Sequence, residues 1–544
     1  MDQALSVGKF TGDQVVKRYN DMKGSRGVQE THWQDVLDYF IPDRQDILTS
    51  KAPGQKRRNH IFDSSGEHSM ELLNAALFSM LTPRQLNWVD FTSGDEEIDS
   101  LDEVRDFHQK LSRKFLDVLN GSNFYCSIQE MFQDLTSVGT GIMAIEDDEE
   151  QTIRCTTHII AETVIDEDNK GRVNEIYRRF EWSAKNIVAE FGMENTPKKV
   201  KDSFEKGDNK KFYIIHGVYP SVLGQGPEIP GKKKYVDHYV LEETKEDIKI
   251  EGRRKFPFVT PRWKKMSGEI YGRSPAMSAL PEVKVVNQME KTVLKGAQKT
   301  IDPPLEIEDD GVLTRPNTTP GGLNFKRPGS APIRPILNDA RIDFGFQVGD
   351  RTRQRIRENF FTDQLQLQQG PQMTATEVER RVERQLQLLG PMLTRLEDEF
   401  LRPFVDIVVD IMILRGIISE EDVPEALKGA QVKPMFSSTI ARAQKASELS
   451  TIERTIQVAA PFIQADPSVL DNVNGDAAIR IAAKIQGLDQ RMLRTEDEVM
   501  QIREDRAKAQ QAAAEAEARN QNVDNASKAG QTMAKMQAVQ QAAG

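Results

Sequence analysis

The sequence predicts a mainly α-helical chain that carries one β-rich insert, an α+β protein with several domains. Apolar residues recur in steps of three and four over most of the chain, which is the period of an amphipathic helix. Between residues 151 and 270 short β-branched and aromatic runs alternate with Gly, Pro and Asp, which is typical of antiparallel strands. A length of 544 residues, of which 38% are hydrophobic, is enough for three or four domains with cores of their own.

Helical hairpins are predicted for the first hundred residues. Within 61–91 a helix begins at Ser64 or Ser65, whose side chain suits an N-cap, and ends at Thr82-Pro83. A further amphipathic helix covers 101–119. The segment 122–148 is predicted as a helix that runs into a glycine-containing strand.

Two predicted helices flank a proline-rich segment. Residues 276–301 and 344–361 have helical periodicity, whereas 302–340 holds seven prolines and four glycines and is not helical. We therefore expect two helices that carry a stiff tip of strands and turns. A Gln-rich loop, 362–373, follows the second helix.

The longest predicted helix starts at Thr374, which forms an S/T-x-x-E capping box with Glu377, and runs to about Gly416. Its apolar period continues through Pro391 and Pro403, so we expect kinks rather than ends at the prolines. About forty residues at ~1.5 Å each would make a rod roughly 60 Å long. Such a rod either crosses an elongated subunit or packs against neighbouring copies.

The last 51 residues, 494–544, are rich in Ala, Gln and Glu and contain no proline, which favours helix. Apolar positions become sparse after Met500. Two interpretations stay open: a frayed tail, or a helical extension that neighbouring subunits order.

Composition narrows the class of protein. A net charge of -11 and a pI of about 5.4 exclude the usual basic nucleic-acid binder, so any DNA contact must be local. Cys126 and Cys155 have no metal-ligand spacing and are too few for a disulfide framework, which fits a reducing compartment. The sequence has no signal-peptide pattern, and its most apolar run, 404–418, is too short and too charged to span a bilayer. We expect a soluble protein.

The motifs of an enzyme are missing from the sequence. It contains no G-x-x-x-x-G-K-[ST] phosphate loop and no H-x-x-x-H pair. The acidic run 146–150 has no ligand spacing, so a solvated loop is the preferred interpretation. The sequence therefore predicts no catalytic residue, no metal and no cofactor.

Two sets of basic residues are candidates for binding. One helical face carries four lysines, which could meet phosphates or form a plain solvated or salt-bridged surface. Four arginines alternate by two and spread round their helix, which favours pairing between subunits. The first set is Lys284, Lys291, Lys295 and Lys299, and the second is Arg351, Arg353, Arg355 and Arg357.

Several long segments resemble the portal, or head-to-tail connector, family of short-tailed double-stranded DNA bacteriophages. The closest resemblance lies in YGRSPAMSALPEVKVVNQMEKTVLKGAQKTIDPPL (271–305) and GPQMTATEVERRVERQLQLLGPML (370–393). The segments IFDSSGEHSMELL, SNFY and GTGIM are similar too and occur in the same order. The resemblance covers roughly residues 10–420.

The resemblance implies an elongated subunit that assembles into a ring, usually of twelve copies, around a channel for duplex DNA. Its parts would be a wing with the β-rich insert, two stem helices, a clip, a tunnel loop, a long kinked wing helix, a crown and a C-terminal extension. Their bounds would be 1–270 for the wing, 271–301 for the first stem helix, 302–343 for the clip, 344–361 for the second stem helix, 362–373 for the tunnel loop, 374–418 for the long wing helix, 419–493 for the crown and 494–544 for the C-terminal extension.

The resemblance also implies partners and contact residues. The tunnel loop would touch DNA through uncharged amides, which do not hold phosphates as Lys and Arg do. Without the resemblance, an ordinary connection between helices is the preferred interpretation of this loop. The clip would dock the terminase motor and the tail adaptor, and the ring would meet the major capsid protein and scaffolding or internal core proteins. The protein would reside in the virion at one capsid vertex, and in host cytoplasm before assembly. The alternative is a ring or rod-like adaptor that never meets DNA. The amides are Gln364, Gln366, Gln368 and Gln369, and the clip residues are Glu306, Glu308, Asp309, Asp310, Arg315, Lys326 and Arg327.

Overall fold

A computed structural model of the chain divides into two compact units, Met1–Ile440 and Ala441–Gly544. The model describes residues 10–44, 46–48, 54–221, 234–302, 304–306, 317, 323, 325, 328–329, 334–335, 342–362, 389–427, 432–436, 455, 458, 475–486, 494 and 496–541.

The N-terminal part of the first unit is helical, as the sequence predicts. The predicted start near Ser64 is confirmed, because Ser64 is the N-cap of α3, and so is its end at Thr82. The predicted helix 101–119 is α5, and 122–148 is a helix followed by a strand. The helices are α1 (Gly12–Ser25), α2 (Gly27–Phe40), α3 (Ser65–Leu81), α4 (Glu96–Ser100), α5 (Asp102–Gly121) and α6 (Phe124–Ser137).

The predicted β-rich insert is confirmed. The strands are β1 (Val89–Thr92), β2 (Met143–Asp148), β3 (Thr152–Thr157), β4 (Thr163–Glu167), β5 (Val173–Ser183), β6 (Lys211–Pro220), β7 (Tyr235–Leu241), β8 (Asp247–Arg253) and β9 (Phe258–Val259). The five-stranded antiparallel sheet has the order β4-β5-β6-β7-β8, and a three-stranded sheet has the order β3-β2-β9.

Two short helices, α7 (Ala184–Asn195) and α8 (Lys198–Glu205), lie inside the insert and are not predicted by its strand-like runs. The Ser183 hydroxyl accepts from the Asn186 amide and starts α7. Their apolar side chains share a small buried cluster with strands β5 to β8. Burial against the sheet therefore stabilises helices that are too short to persist alone.

The helices on either side of the proline-rich segment are α9 (Pro275–Ile301) and α10 (Ile342–Asn359). Ser274 caps α9, since its hydroxyl accepts from the Met277 amide, and Pro275 occupies the first helical position, where no amide donor is needed. Between the helices, β10 (Leu305–Glu306) pairs antiparallel with β11 (Arg334–Pro335). Both helix predictions hold to within two residues at each end.

The C-terminal half of the long predicted helix is present, and it passes through both prolines. Residues 389–396 are helical, a π-turn covers Glu397–Leu401, and α11 covers Arg402–Leu414. The π-turn ends two residues before Pro403, which has no amide to donate to the Glu399 carbonyl as a regular α-helix would require. Gly416 ends the helix with a positive φ of 68°. The capping box at Thr374 lies outside the described residues.

One buried cluster joins the helices of the first unit to the long helix. Phe124 of α6 stacks on Phe404 of α11 with 4.6 Å between ring centroids. Trp33 of α2 and Phe115 of α5 are fully buried in the same cluster. A last strand, β12 (Lys433–Phe436), pairs antiparallel with β1.

The second unit contains α12 (Gly475–Gln486) and α13 (Glu496–Gln541), a helix of 46 residues. Helix thus covers most of the predicted C-terminal extension, whereas its ordering by neighbouring subunits stays a prediction. Arg503 of α13 forms a bidentate ion pair with Asp476 of α12, at 2.7 and 2.8 Å. Among the described residues, no helix is both long and apolar enough to cross a bilayer.

Candidate functional site

The predicted pair of helices packs as an antiparallel hairpin, which we call the hairpin (α9 with α10). Glu290 of α9 contacts Arg353 of α10, and Val293 lies against Gly345. Later positions on α9 thus meet earlier positions on α10. A Cβ on Gly345 would lie 2.9 Å from Val293 Cγ2, so glycine allows the two helices to approach closely at this level.

Arg353 ties the hairpin to the N-terminal helices. Its guanidinium donates to Asp63 at 2.8 Å and to Asp350 at 2.9 Å, and it also contacts Glu290. Partial burial alone would lower the pKa of Arg353, because it disfavours the charged guanidinium. The hydrogen bonds to Asp63 and Glu290 outweigh this effect and raise the pKa. Because Asp63 is nearly buried, the pair is shielded from solvent and stronger than a surface salt bridge.

Asn287 makes a second connection between α9 and the same segment. Its side-chain oxygen accepts from the Phe62 amide at 2.6 Å, and its side-chain nitrogen donates to the His60 carbonyl at 2.8 Å. The residue is buried on α9. Together with Arg353, it fixes the chain that leads into α3.

The base of the hairpin is a contact between two backbones, at Gly139 and Gly272. A Cβ on Gly272 would lie 2.1 Å from the Gly139 carbonyl oxygen, and a Cβ on Gly139 would lie 2.4 Å from the Gly272 carbonyl oxygen. The Gly272 amide donates to the Thr140 hydroxyl at 2.9 Å, and the Ser274 hydroxyl donates to the Ser137 carbonyl at 2.6 Å. The segments GTGIM and YGRSP therefore touch where α9 begins.

Arg262, which is 1% exposed, connects three parts of the first unit beside this base. It contacts both carboxylate oxygens of Glu399 in the π-turn, at 3.0 and 3.1 Å, and donates to Glu167 of β4 at 2.7 Å. It also donates to the Ile270 carbonyl at 3.1 Å, just before α9. One buried cation, Arg262, thus connects the long helix, the insert and the base of the hairpin.

The predicted lysine face divides into two halves. Lys284 pairs with Asp35 at 2.9 Å and lies over the Tyr39 ring, and Lys291 lies over the Phe62 ring. Those two lysines are therefore engaged within their own subunit. Lys295 and Lys299, further along α9, are exposed.

The four arginines of α10 also have different environments. Inter-subunit pairing is predicted for all of them. Arg353 instead has partners inside its own chain, because its side chain points toward α9 and Asp63. Arg351, Arg355 and Arg357 are exposed.

One of the predicted tunnel-loop and clip residues lies in the described part of the chain. Glu306 is exposed on β10 and lies opposite Arg334 of β11. The others lie outside the described residues: Gln364, Gln366, Gln368, Gln369, Glu308, Asp309, Asp310, Arg315, Lys326 and Arg327.

The acidic run forms the end of β2 and the start of the turn that leads to β3. Asp148 accepts from the Glu150 and Gln151 amides, each at 2.9 Å, and Asp147 pairs with Arg415 at 2.5 Å. In the described part of the chain, no group of His, Cys, Asp or Glu is arranged to hold a metal ion. Burial raises the pKa of the Cys155 thiol to about 12, so this cysteine is protonated at neutral pH.

Sequence reasoning does not find Asn287, Arg262 or the contact between Gly139 and Gly272. Their partners are far away in the sequence, so no local pattern indicates them. The resemblance of GTGIM and YGRSP to one family is the one signal that points to this place.

Known proteins resemble the chain over most of its length. The family described as bacteriophage head to tail connecting protein matches residues 12–493. The probable portal protein of Bordetella phage BPP-1 is 28% identical over 529 residues, which cover 95% of each chain. The portal protein of Salmonella phage epsilon15 is 28% identical over 514 residues, 92% of each chain, and that of Escherichia phage T7 is 21% identical over 463 residues, 80% of each chain.

Proposed function

Because the chain belongs to the family of bacteriophage head to tail connecting proteins, we propose that its copies close into a ring, usually of twelve, around a channel through which double-stranded DNA enters and leaves the capsid. The portal function itself follows from the family and from the named portal relatives across most of the chain. The family also implies a ring oligomer with capsid and tail partners, located at a capsid vertex.

The observation that carries the proposal is the hairpin and its fixed base. Arg353, Asn287 and the contact between Gly139 and Gly272 hold α9 and α10 at a defined direction relative to the N-terminal helices. A rigid hairpin keeps whatever lies at its tip at a constant position. In a ring, twelve such hairpins would form a stem, with the clip at one end ready to meet the terminase motor and the tail adaptor.

Electrostatics suit a channel that lets DNA pass. Each chain has a net charge of -11, so a ring carries a large negative charge whose field reaches about 10 Å at moderate salt. We assign DNA contact on the stem to Lys295 and Lys299 only, since Lys284 and Lys291 are engaged by the subunit. Two weak phosphate contacts per subunit, together with the tunnel-loop glutamines, would guide the duplex without retaining it.

The same interpretation makes this chain a structural part rather than the motor. The motor would be the terminase, and further contacts would join the ring to the major capsid protein and to scaffolding or internal core proteins. Before assembly the subunits would be in the host cytoplasm.

Particles assembled without this chain should be DNA-free heads that lack a connector at the vertex, and the isolated chain should hydrolyse ATP at no more than the background rate. Restoring the chain in trans should restore DNA-filled heads. DNA-filled heads formed in its absence, or ATP hydrolysis by the purified chain, would contradict the proposal.

Reversing the charge of both exposed lysines, with Lys295→Glu and Lys299→Glu, removes two phosphate contacts per subunit. DNA retention in filled particles should therefore fall most at low salt and little at high salt. Removal of one lysine–phosphate pair lowers the salt dependence of binding by roughly one unit of slope. The matched control is Lys170→Glu, which reverses an exposed lysine in the turn between β4 and β5. Retention equal to wild type at every salt concentration would mean that the lysines are merely solvated.

A further inference from the structure

The five-stranded sheet of the insert meets the three-stranded sheet along a buried contact that contains two histidines. His158 follows β3 and His216 lies on β6, and they are only 7% and 6% exposed. Both imidazole rings lie against the ring of Phe258 on β9, with 6.0 and 6.2 Å between ring centroids. We call this contact the histidine seam (His158, His216 and Phe258).

The surroundings of His158 favour its neutral form. The titratable groups whose charge acts on it, Arg178 of β5 and His216, are both basic. Burial, together with Arg178 and His216, lowers the pKa of His158 to about 2. In the described part of the chain no carboxylate pairs with its ring, so a protonated His158 would be a buried cation without a counter-ion.

The carboxylates nearest to the seam are already engaged by other cations. The pairs are Asp237 of β7 with His216 at 2.6 Å and with Arg253 of β8, Glu162 with Arg178 at 3.5 Å, and Glu146 of β2 with Arg253 at 4.0 Å. Tyr239 of β7 stacks on His216 and stays protonated, because burial raises its pKa. The seam therefore has no spare negative charge to receive a new cation.

One edge of the five-stranded sheet is tied to the rest of the first unit at both ends. Arg26, between α1 and α2, donates to the carbonyl of Thr163, the first residue of β4, at 2.5 Å. Arg262 donates to Glu167, the last residue of β4, at 2.7 Å. On one face, the sheet also shares a buried cluster with α1 alone. Strand β4 is therefore a hinge line, and the histidine seam lies away from it.

We propose that the histidine seam is an acid-sensitive switch: protonation of His158 separates β6, β7 and β8 from the three-stranded sheet, and the five-stranded sheet swings on β4. Separation lets water reach the imidazolium and removes it from the field of Arg178. The seam lies within one subunit. The proposal therefore goes beyond the proposed function and does not depend on ring formation.

The direction of the pH effect follows from linkage. A histidine whose pKa is lowered in the folded protein stabilises the closed state fully above its unfolded pKa of about 6.5, and that contribution is lost as the pH falls. Each pH unit below about 6.5 should therefore favour the open seam about tenfold.

Hydroxyl-radical footprinting of the purified full-length chain, with mass spectrometry, measures the opening at pH 7 and pH 5. Phe258 is 5% exposed, so its oxidation reports the open seam. The open fraction, taken from its oxidation rate relative to that of the exposed Phe204, should rise roughly 25-fold from pH 7 to pH 5. Phe115, which is fully buried among the helices, should stay protected at both pH values.

His158→Leu removes the titrating group and keeps an apolar side chain in the seam. The open fraction of this variant should change by no more than about twofold between pH 7 and pH 5. The comparison is between the two pH values, so a variant that opens more at both still gives a result. His158→Gln is a second variant that does not titrate and should behave in the same way. The matched control is His68→Leu, which replaces an exposed histidine on α3 and should keep the wild-type rise.

Three results would overturn the switch. The first is a wild-type open fraction that does not change between pH 7 and pH 5. The second is the full wild-type rise in both His158 variants. The third is a parallel rise in the oxidation of Phe115, which would mean that acid unfolds the first unit as a whole.

Discussion

Gly272→Ala is expected to lower the free energy of unfolding of the first unit by about 3 kcal/mol or more, at the upper end of overpacking effects. The new Cβ would lie 2.1 Å from the Gly139 carbonyl oxygen and 3.0 Å from Arg262 Cβ. Neither neighbour is the free end of a flexible side chain, so the start of α9 would have to shift. Urea unfolding of the purified chain, followed by circular dichroism, measures the effect.

Gly24→Ala is the matched control. Gly24 lies within α1, and a Cβ there would meet no atom within 4 Å. Since alanine favours helix, this change should leave stability unchanged or raise it by up to about 1 kcal/mol. Equal effects of the two substitutions would mean that the contact between Gly139 and Gly272 does not position α9.

Arg262→Met is expected to cost about 3–5 kcal/mol, the range found when one partner of a buried ion pair is removed. Methionine fills much of the volume but leaves Glu399 and Glu167 without their shared partner. The π-turn, the insert and the segment before α9 would no longer be joined by one side chain, so we expect a lower unfolding temperature together with faster proteolysis. Limited proteolysis with mass spectrometry measures the second effect.

Arg395→Ala is the control on the same carboxylate. Arg395 is partly exposed and contacts Glu399 from one helical turn away at 3.3 Å. Such a pair contributes about 0–1 kcal/mol. If the two substitutions cost the same, the buried connection through Arg262 has no special role.

The destabilisation caused by Arg262→Met should also depend on pH. Burial alone would raise the pKa of Glu167, but hydrogen bonds from Lys265 and Arg262 outweigh it and lower the pKa. A carboxyl group with a lowered folded pKa stabilises the fold above its unfolded pKa and loses that contribution as the pH falls. The difference in unfolding free energy between wild type and Arg262→Met should therefore be largest at pH 7 and become smaller below about pH 4.5. A gap that stays constant down to pH 3 would contradict this.

Local patterns predict α9 and α10 well because their limits depend on neighbouring residues. Ser274 and Pro275 start α9 wherever the helix is placed, and the prolines that follow it forbid its continuation. Local patterns also predict the strands of the insert. Helices α7 and α8 are missed because packing on the sheet, not their own period, stabilises them.

The functional side chains are predicted less well, for a physical reason. Helical spacing correctly places four lysines on one face of α9, but it cannot show that Asp35, 249 positions away, engages Lys284. Likewise, the alternation of arginines on α10 does not reveal that Asp63 binds Arg353. Long-range partners divide each set into engaged and exposed members, and they appear only in the folded chain.

An averaged end-on electron-microscopy view of the purified full-length chain tests the central claim most directly. We expect closed rings, each with an axial opening wide enough for a DNA duplex. A well-folded monomer that persists at high concentration, or a closed assembly with no opening along its axis, would contradict a portal that conducts DNA.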